Sequence, residues 1–202
     1  MVNLSLIYDK FAKKYEDNRN IFNMDNIIND LNNYINISQG KLLDLGCGAG
    51  EPFSSYFIKK KWDVIGVDYS SEMLKIANKY LPQLKTIYSD MTLVKFNINQ
   101  FDLVIAIYSI FHIEKEKHTQ LLKNIYFWLK KGGIALFTYA CKEYTQHSEF
   151  SGYKEFMGEQ LFYSHYDETT IKNILDNIGF KVLSFKYYTI ADETFLWIII
   201  QK

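Results

Sequence analysis

The sequence predicts an α/β protein of the doubly wound kind: a mostly parallel sheet with helices on both faces, ending in an antiparallel C-terminal hairpin. Three observations carry that prediction. After Gly40, short apolar runs ("KLLDL", "WDVIGVD", "LKTIYSD", "FDLVIAIY", "IALFTYA") alternate with longer amphipathic stretches, the pattern of buried parallel strands wrapped by helices. The last two runs, "FKVLSFKYYTI" and "TFLWIIIQK", are separated only by "ADE", which is too short for a crossover helix, so they pair antiparallel. At Lys41–Pro52, "KLLDLGCGAGEP", an apolar run breaks off and glycine follows at 46, 48 and 50. Each glycine costs backbone entropy, so something must approach that backbone too closely for a Cβ.

Taken in order, residues 5–16 and 21–35 carry apolar positions at helical spacing, for example Ile27, Ile28, Leu31, Tyr34 and Ile35. Residues 1–39 are expected to form a helical cap on a core spanning 40–140. Within that core, helices are expected over 51–60, 71–80 and 114–130. Gly132–Gly133 is read as the end of the last of these. Segment 141–166 has no clear period and is long for a plain loop, so it is expected to be a substrate-side insertion. Residues 167–202 then supply a helix over 167–178, with Gly179 as its C′ residue, and the terminal hairpin. No repeat or low-complexity linker divides the chain, and its 202 residues suit one domain.

Bulk properties narrow the function. Lys+Arg and Asp+Glu both number 23, whereas a chain that grips a nucleic-acid backbone usually carries a basic excess, so no nucleic-acid partner is expected. Two cysteines without a CxxC argue against a disulfide scaffold or metal site and suit a cytoplasmic location. The start, "MVNLSLIYDKFAKKYEDN", is broken by charge too often for a signal peptide, and no segment approaches the ~20 apolar residues of a membrane span. Monomer and homodimer are both compatible with the composition.

In an open α/β sheet, ligands bind beyond the carboxyl ends of the strands, and the glycine loop ends the first strand and opens a helix. Asp68 ends the next strand, 18 residues after Gly50, a spacing that suits an acceptor for ribose hydroxyls. A helix-capping or turn role is the alternative for Asp68, and Ser70 after it is a plausible N-cap. Dinucleotides and S-adenosylmethionine both fit these two elements. Asp44, two residues before the first glycine, would repel a pyrophosphate but attract the ammonium of an amino-acid moiety, which favours S-adenosylmethionine.

"LLDLGCGAGE", "VIGVDYSSEML", "YSDM", "FDLVIAIYSIFHI" and "LKKGGIALFT" together resemble the successive motifs of class I S-adenosylmethionine-dependent methyltransferases, over roughly residues 40–140. "YDKFAKKYED" and "LFYSHYDETTIKNILDNIGFKV" resemble the small bacterial members. The resemblance implies a Rossmann-like seven-stranded sheet whose last strand pair holds the one antiparallel strand. It implies S-adenosyl-L-methionine as cofactor and S-adenosyl-L-homocysteine as product. By resemblance, Asp44, Gly46, Cys47, Gly48 and Gly50 hold the methionine end and Asp68 takes the ribose, with Tyr69 and Met73 beside the adenine. Asp90 and Met91 meet the adenine edge, Ile107 and Tyr108 line the methyl end, and Tyr15 closes over the cofactor. Met73, Met91 and Tyr15 have plain packing roles as alternatives.

Methyl transfer from a sulfonium needs exclusion of water, alignment and, for some acceptors, a base. Tyr15 and Tyr108 could place aromatic faces near the sulfonium. His112, in "YSIFHI", and His165, in "YSHY", are the candidate bases, with structural hydrogen bonding as the alternative for each. His118 and His147 read as surface residues. The Asn/Asp/Ser-Pro-Pro-aromatic stretch of amino-directed nucleic-acid methyltransferases is missing after the fourth strand. The expected acceptor is therefore a small molecule that receives the methyl on O, N or S. A protein or RNA acceptor and a non-catalytic cofactor-binding scaffold are the two alternatives, and no metal is expected.

Overall fold

The computed structural model describes residues 4–17 and 24–202. Two helices come first, α1 (Leu4–Asp17) and α2 (Asp25–Asn32). Of the helix expected over 21–35, residues 21–23 lie outside the described residues. Strand–helix alternation follows with β1 (Lys41–Leu45), α3 (Phe53–Lys59), β2 (Asp63–Asp68), α4 (Ser71–Tyr80), β3 (Lys85–Tyr88) and β4 (Phe101–Ala106). After a single 3-10 turn at Ile110–His112 come α5 (Lys115–Trp128) and β5 (Leu129–Tyr139). The short α6 (Lys142–Thr145) precedes β6 (Phe150–Phe156) and β7 (Glu159–His165). The chain ends with α7 (Glu168–Ile178), β8 (Lys181–Ile190) and β9 (Glu193–Gln201).

Seven strands form one sheet in the order β3-β2-β1-β4-β5-β9-β8, and β9 alone runs antiparallel to its neighbours. Strand order reverses about β1, which lies between β2 and β4, so the carboxyl ends of these strands open the crevice where α/β proteins take ligands. Both faces of the sheet are covered, which explains the unbroken apolar runs. In β9, Phe195, Trp197 and Ile199 join the core packed by α1, α2, α3 and α4. The alternate residues Leu196, Ile198 and Ile200 join the core packed by α5 and α7.

Local signals place several boundaries. Ser70 accepts a hydrogen bond from the Met73 amide at 3.1 Å and so caps α4. Asp167 caps α7 by accepting from Thr170 N, and each such cap is worth about 1 kcal/mol. Gly179 ends α7 with φ +106°, returning its amide to Leu175 and Asp176 carbonyls.

Two regions differ from the sequence reading. Gly132–Gly133 does not end a helix. β5 already begins at Leu129 and bulges before pairing resumes at Leu103↔Ile134, while Gly132 and Gly133 bond Lys202 at the far end of the chain. Segment 141–166 is ordered as a helical turn and a hairpin, with β6 and β7 paired from Phe150↔His165 to Phe156↔Glu159 about a tight Met157–Gly158 turn.

Candidate active site

The carboxyl ends of β1, β2 and β4 open into one cavity of about 1000 Å³, bounded also by α1, the β6–β7 hairpin and the β8–β9 turn. One end is built around the glycine loop. Gly46 N and Cys47 N both donate to Val67 O (2.7 and 3.0 Å), which pins the loop to the end of β2. Gly46, Gly48 and Gly50 all have positive φ (+78°, +50° and +84°). A Cβ on Gly46 would lie 2.4 Å from Ser109 Cβ, and one on Gly50 would lie 2.7 Å from Leu81 Cδ1. The protein itself therefore crowds those two glycines. Only Gly48 has open space where its Cβ would stand, and it lines the cavity, whereas Gly50 does not.

Asp44 is buried beside the loop, and its Oδ2 accepts the Ser54 hydroxyl at 2.7 Å. Burial pushes its carboxyl up to about 7; the Ser54 bond opposes this and the nearby Asp68 charge adds to it. Asp68 accepts from Gly48 N (2.7 Å) and Ser70 N (2.8 Å), so it does serve the turn. Its remaining acceptor positions are open to a ligand, since it also lines the cavity. Burial raises its pKa while those backbone donors oppose the shift. Cys47 is buried, and burial followed by the Asp68 and Asp44 charges pushes its thiol well up.

Tyr69, Met73, Asp90, Met91, Ile107, Tyr108 and Tyr15 all line the same cavity. Tyr69 is exposed and stacks on Tyr88 with ring centroids 6.0 Å apart. Met73 is also a core residue, so its packing role is real alongside its place on the wall. Asp90 accepts from Thr92 N and Thr92 Oγ1, fixing the turn after β3. Tyr108 adopts φ +51°, sparsely populated for a non-glycine residue, and donates its amide to Thr138 Oγ1. Its ring meets Phe195 and Trp197 edge-on at 5.2 and 5.6 Å.

The other end of the cavity is aromatic. His112 stands there between Phe111 and Tyr163, each with its ring centroid 4.7 Å away. Its Nδ1 lies 2.7 Å from Phe162 O, which can only accept, so Nδ1 carries the proton. Nε2 then accepts the Tyr8 hydroxyl at 3.0 Å. Burial depresses the imidazole pKa to about 4, leaving it neutral near pH 7.

His165 does not reach this cavity. It is buried at the end of β7, opposite Phe150 in the hairpin, and bonded to Thr145 Oγ1 (2.8 Å) and Tyr166 O (3.0 Å), which fits the hydrogen-bonding alternative and not the expected place beside the acceptor. His118 is likewise no surface residue. It sits on the inward stripe of α5 with Leu121, Leu122 and Ile125 and holds Tyr139 OH and Ile113 O. Sequence reasoning also missed Tyr8, Ser54, Asp9 and Glu193. Tyr8 had a signal, since Tyr8 and Tyr15 fall two helical turns apart on one face of α1. Asp9 takes the Ser70 hydroxyl (2.6 Å) and Glu72 N (3.2 Å), docking α1 on the first turn of α4.

Among the described residues lining the cavity, carboxylates (Asp25, Asp44, Glu51, Asp68, Asp90, Glu114 and Glu193) outnumber lysines (Lys14 and Lys117). No group of three or more His, Cys, Asp or Glu among the described residues is placed to hold a metal ion, and no described helix is long and apolar enough to cross a membrane.

A profile of the methyltransferase-domain family matches residues 15–185. Phosphoethanolamine N-methyltransferase 1 of Triticum aestivum is 29% identical over 147 residues, which is 69% of this chain but only 28% of that protein. The chain thus spans under a third of the length of that relative. An uncharacterized methyltransferase of Oceanobacillus iheyensis is 27% identical over 180 residues, covering 85% of this chain and 81% of the other. Among solved structures, an S-adenosylmethionine-dependent methyltransferase from Clostridium acetobutylicum superposes with a TM-score of 0.72 at 19% identity, over 96% of this chain and 98% of that one. The chain belongs to the methyltransferase-domain family, and its sheet is that of a class I S-adenosylmethionine-dependent methyltransferase.

Proposed function

We propose that this chain moves the methyl group of S-adenosylmethionine to an O, N or S atom of a small molecule held in the aromatic end of the cavity. The observation that carries the reading is the continuity of that cavity. The glycine loop, Asp44 and Asp68 lie at one end, and Tyr8, Phe111, His112, Phe156 and Tyr163 at the other, within one space of about 1000 Å³. That space accommodates a nucleoside-sized ligand and a second small molecule together.

In this reading Asp44 takes the cofactor's ammonium, the loop amides its carboxylate, and Asp68 the ribose hydroxyls. Tyr69, Met73, Asp90 and Met91 surround the adenine. Tyr15 covers the cofactor from α1, and Ile107 and Tyr108 line the path of the methyl group. The cofactor supplies the activated methyl, so the protein's contribution is alignment and exclusion of water. The Tyr15 and Tyr108 rings offer faces to the sulfonium, an attraction of roughly 0.5–2 kcal/mol depending on desolvation. His112, with a pKa near 4, is a poor proton sink at neutral pH, so its lone pair takes the hydrogen bond of the Tyr8 hydroxyl and leaves the Tyr8 oxygen free to accept one from the acceptor. The acidic wall gives no support to a substrate with a phosphate backbone.

Calorimetric titration with S-adenosylhomocysteine, run beside NAD, tests the cofactor half. Binding on the order of micromolar, no heat with NAD and at least a tenfold loss in Asp68→Ala are expected. Silence with S-adenosylhomocysteine in a folded sample rejects the reading.

A further inference from the structure

We infer that the methyl acceptor is an amine, and that the Glu193 carboxylate is the group that receives it. The inference rests on the small-molecule methyltransferase reading and names the substrate class of that same site.

Glu193 opens β9 directly after a two-residue turn in which Ala191 and Asp192 both have positive φ (+50° and +65°). Neither is glycine, and L side chains rarely adopt that conformation, so the chain accepts strain at the point that sets this side chain. The turn brings Glu193 to the cavity wall beside Ile190 and Phe195, and Phe195 packs against Phe111 and Tyr144 of the aromatic cluster. Around it stand tyrosines: the Tyr144 hydroxyl reaches its carboxylate and also shares a hydrogen bond of 3.1 Å with Tyr163. Tyr8 and Tyr108 lie close enough for its charge to raise their pKa values.

Glu193 is half-buried, yet among the described residues it forms no ion pair within 4 Å. Lys154 acts on it from a distance but is engaged elsewhere, above the Tyr144 ring at 4.2 Å and on the Tyr144 carbonyl oxygen. A partly desolvated carboxylate among tyrosine side chains, with no ion-pair partner among the described residues, calls for a cation in the space before it. An ammonium group meets that demand, whereas a phosphate or carboxylate on the acceptor would face like charge.

In the reaction, the ammonium gives one proton to solvent through the Glu193 carboxylate and exposes the nitrogen lone pair. That pair forms the N–C bond to the methyl carbon while the C–S bond breaks, its electrons remaining on sulfur as the neutral thioether. The product leaves as the N-methylated ammonium, so the positive charge of the sulfonium is carried by nitrogen.

Four single-ring probes that differ in charge test this: benzylamine, phenyltrimethylammonium, benzyl alcohol and benzoate, each titrated into the protein saturated with S-adenosylhomocysteine. The two cations should bind at least about tenfold more tightly than the alcohol or the benzoate. Glu193→Gln should erase that preference and leave S-adenosylhomocysteine affinity unchanged, which also certifies its fold. Equal binding of all four probes, no binding of the cations, or a preference that survives Glu193→Gln overturns the inference while the methyltransferase reading stands. Failure of the wild type to bind S-adenosylhomocysteine rejects that underlying reading, and the amine assignment with it.

Discussion

Asp44 holds its proton to an unusually high pH for a carboxylate, up to about 7, because it is buried beside another acid. A bound ammonium would reverse that preference, so cofactor binding must expel the proton wherever Asp44 still carries one. The affinity for S-adenosylhomocysteine should therefore tighten as pH rises from 6 to 8. Near pH 7, calorimetry in buffers of different ionisation enthalpy should show about half a proton released; an Asp44→Asn variant should show none. The glycine loop makes a second contrast. Gly46→Ala forces a Cβ to 2.4 Å from Ser109 at positive φ and should cost more than about 3 kcal/mol of stability. Gly48→Ala meets no atom within 4 Å and should cost only about 1 kcal/mol, while weakening S-adenosylhomocysteine. Thermal melts and titrations on the pair separate the two roles. The places of Asp44, Gly48 and Asp68 on the cavity wall were legible in the sequence because their spacing is local. The crowding of Gly46 by Ser109 was not, since it joins residues far apart in the chain, and the same holds for Tyr8 meeting His112.

At the scale of elements, α1 is held by its buried Ile7, Phe11 and Ala12, by Glu16 on Lys79 and Tyr80 of α4, and by further polar contacts. Asp9 bonds the start of α4, Tyr8 bonds His112, and Lys10 pairs with Glu159 on the hairpin at 2.8 Å in an exposed contact. The exposed Lys10–Glu159 pair is worth about 0–1 kcal/mol, so the two part-buried Asp9 bonds hold α1 more firmly than that pair does. Asp9→Ala should leave the melting temperature within a few degrees, raise amide exchange across α1, and weaken S-adenosylhomocysteine roughly three- to tenfold. The helices and sheet strands were readable because the 3.6-residue and both-face apolar patterns are strong there. The β6–β7 hairpin escaped notice for a definite reason. Its less exposed positions include Gly152 and Lys154, its more exposed ones include Tyr153, and its turn is Met-Gly rather than Asn-Gly. Likewise, Gly132–Gly133 mimics a helix stop while serving a bulge that only the pairing with Lys202 explains.

For the whole molecule, pH acts through opposed groups. His112 and His118 are both held near pKa 4 by burial, so the folded state refuses protons that the unfolded chain takes up below about 6.5. Their contribution to stability is present above that value and lost as pH falls toward 4. Asp44 runs the other way: its raised pKa makes the folded state gain as pH falls from about 7 toward 4. Removing it in Asp44→Asn should therefore steepen the acid-side loss and raise stability near pH 7.5 by about 2–4 kcal/mol, read from urea midpoints between pH 4.5 and 7.5. The fold class was visible at this scale, and the neutral charge total was visible too. The uneven sharing of that charge, with acids gathered on the cavity wall, depends on which residues the topology brings to the strand ends, and no single stretch of sequence displays it.

The position of α1 has a kinetic consequence. Leu4, Tyr8 and Tyr15 of this one helix border the cavity along with Tyr153 and Phe156 of the hairpin, so in the proposed reaction α1 would act as a cover over both donor and acceptor. Under that reading, turnover would require α1 to lift after chemistry as well as before it. The catalytic rate should fall as solvent viscosity rises, and S-adenosylhomocysteine, trapped beneath the helix, should compete with the methyl donor while inhibiting noncompetitively against the acceptor.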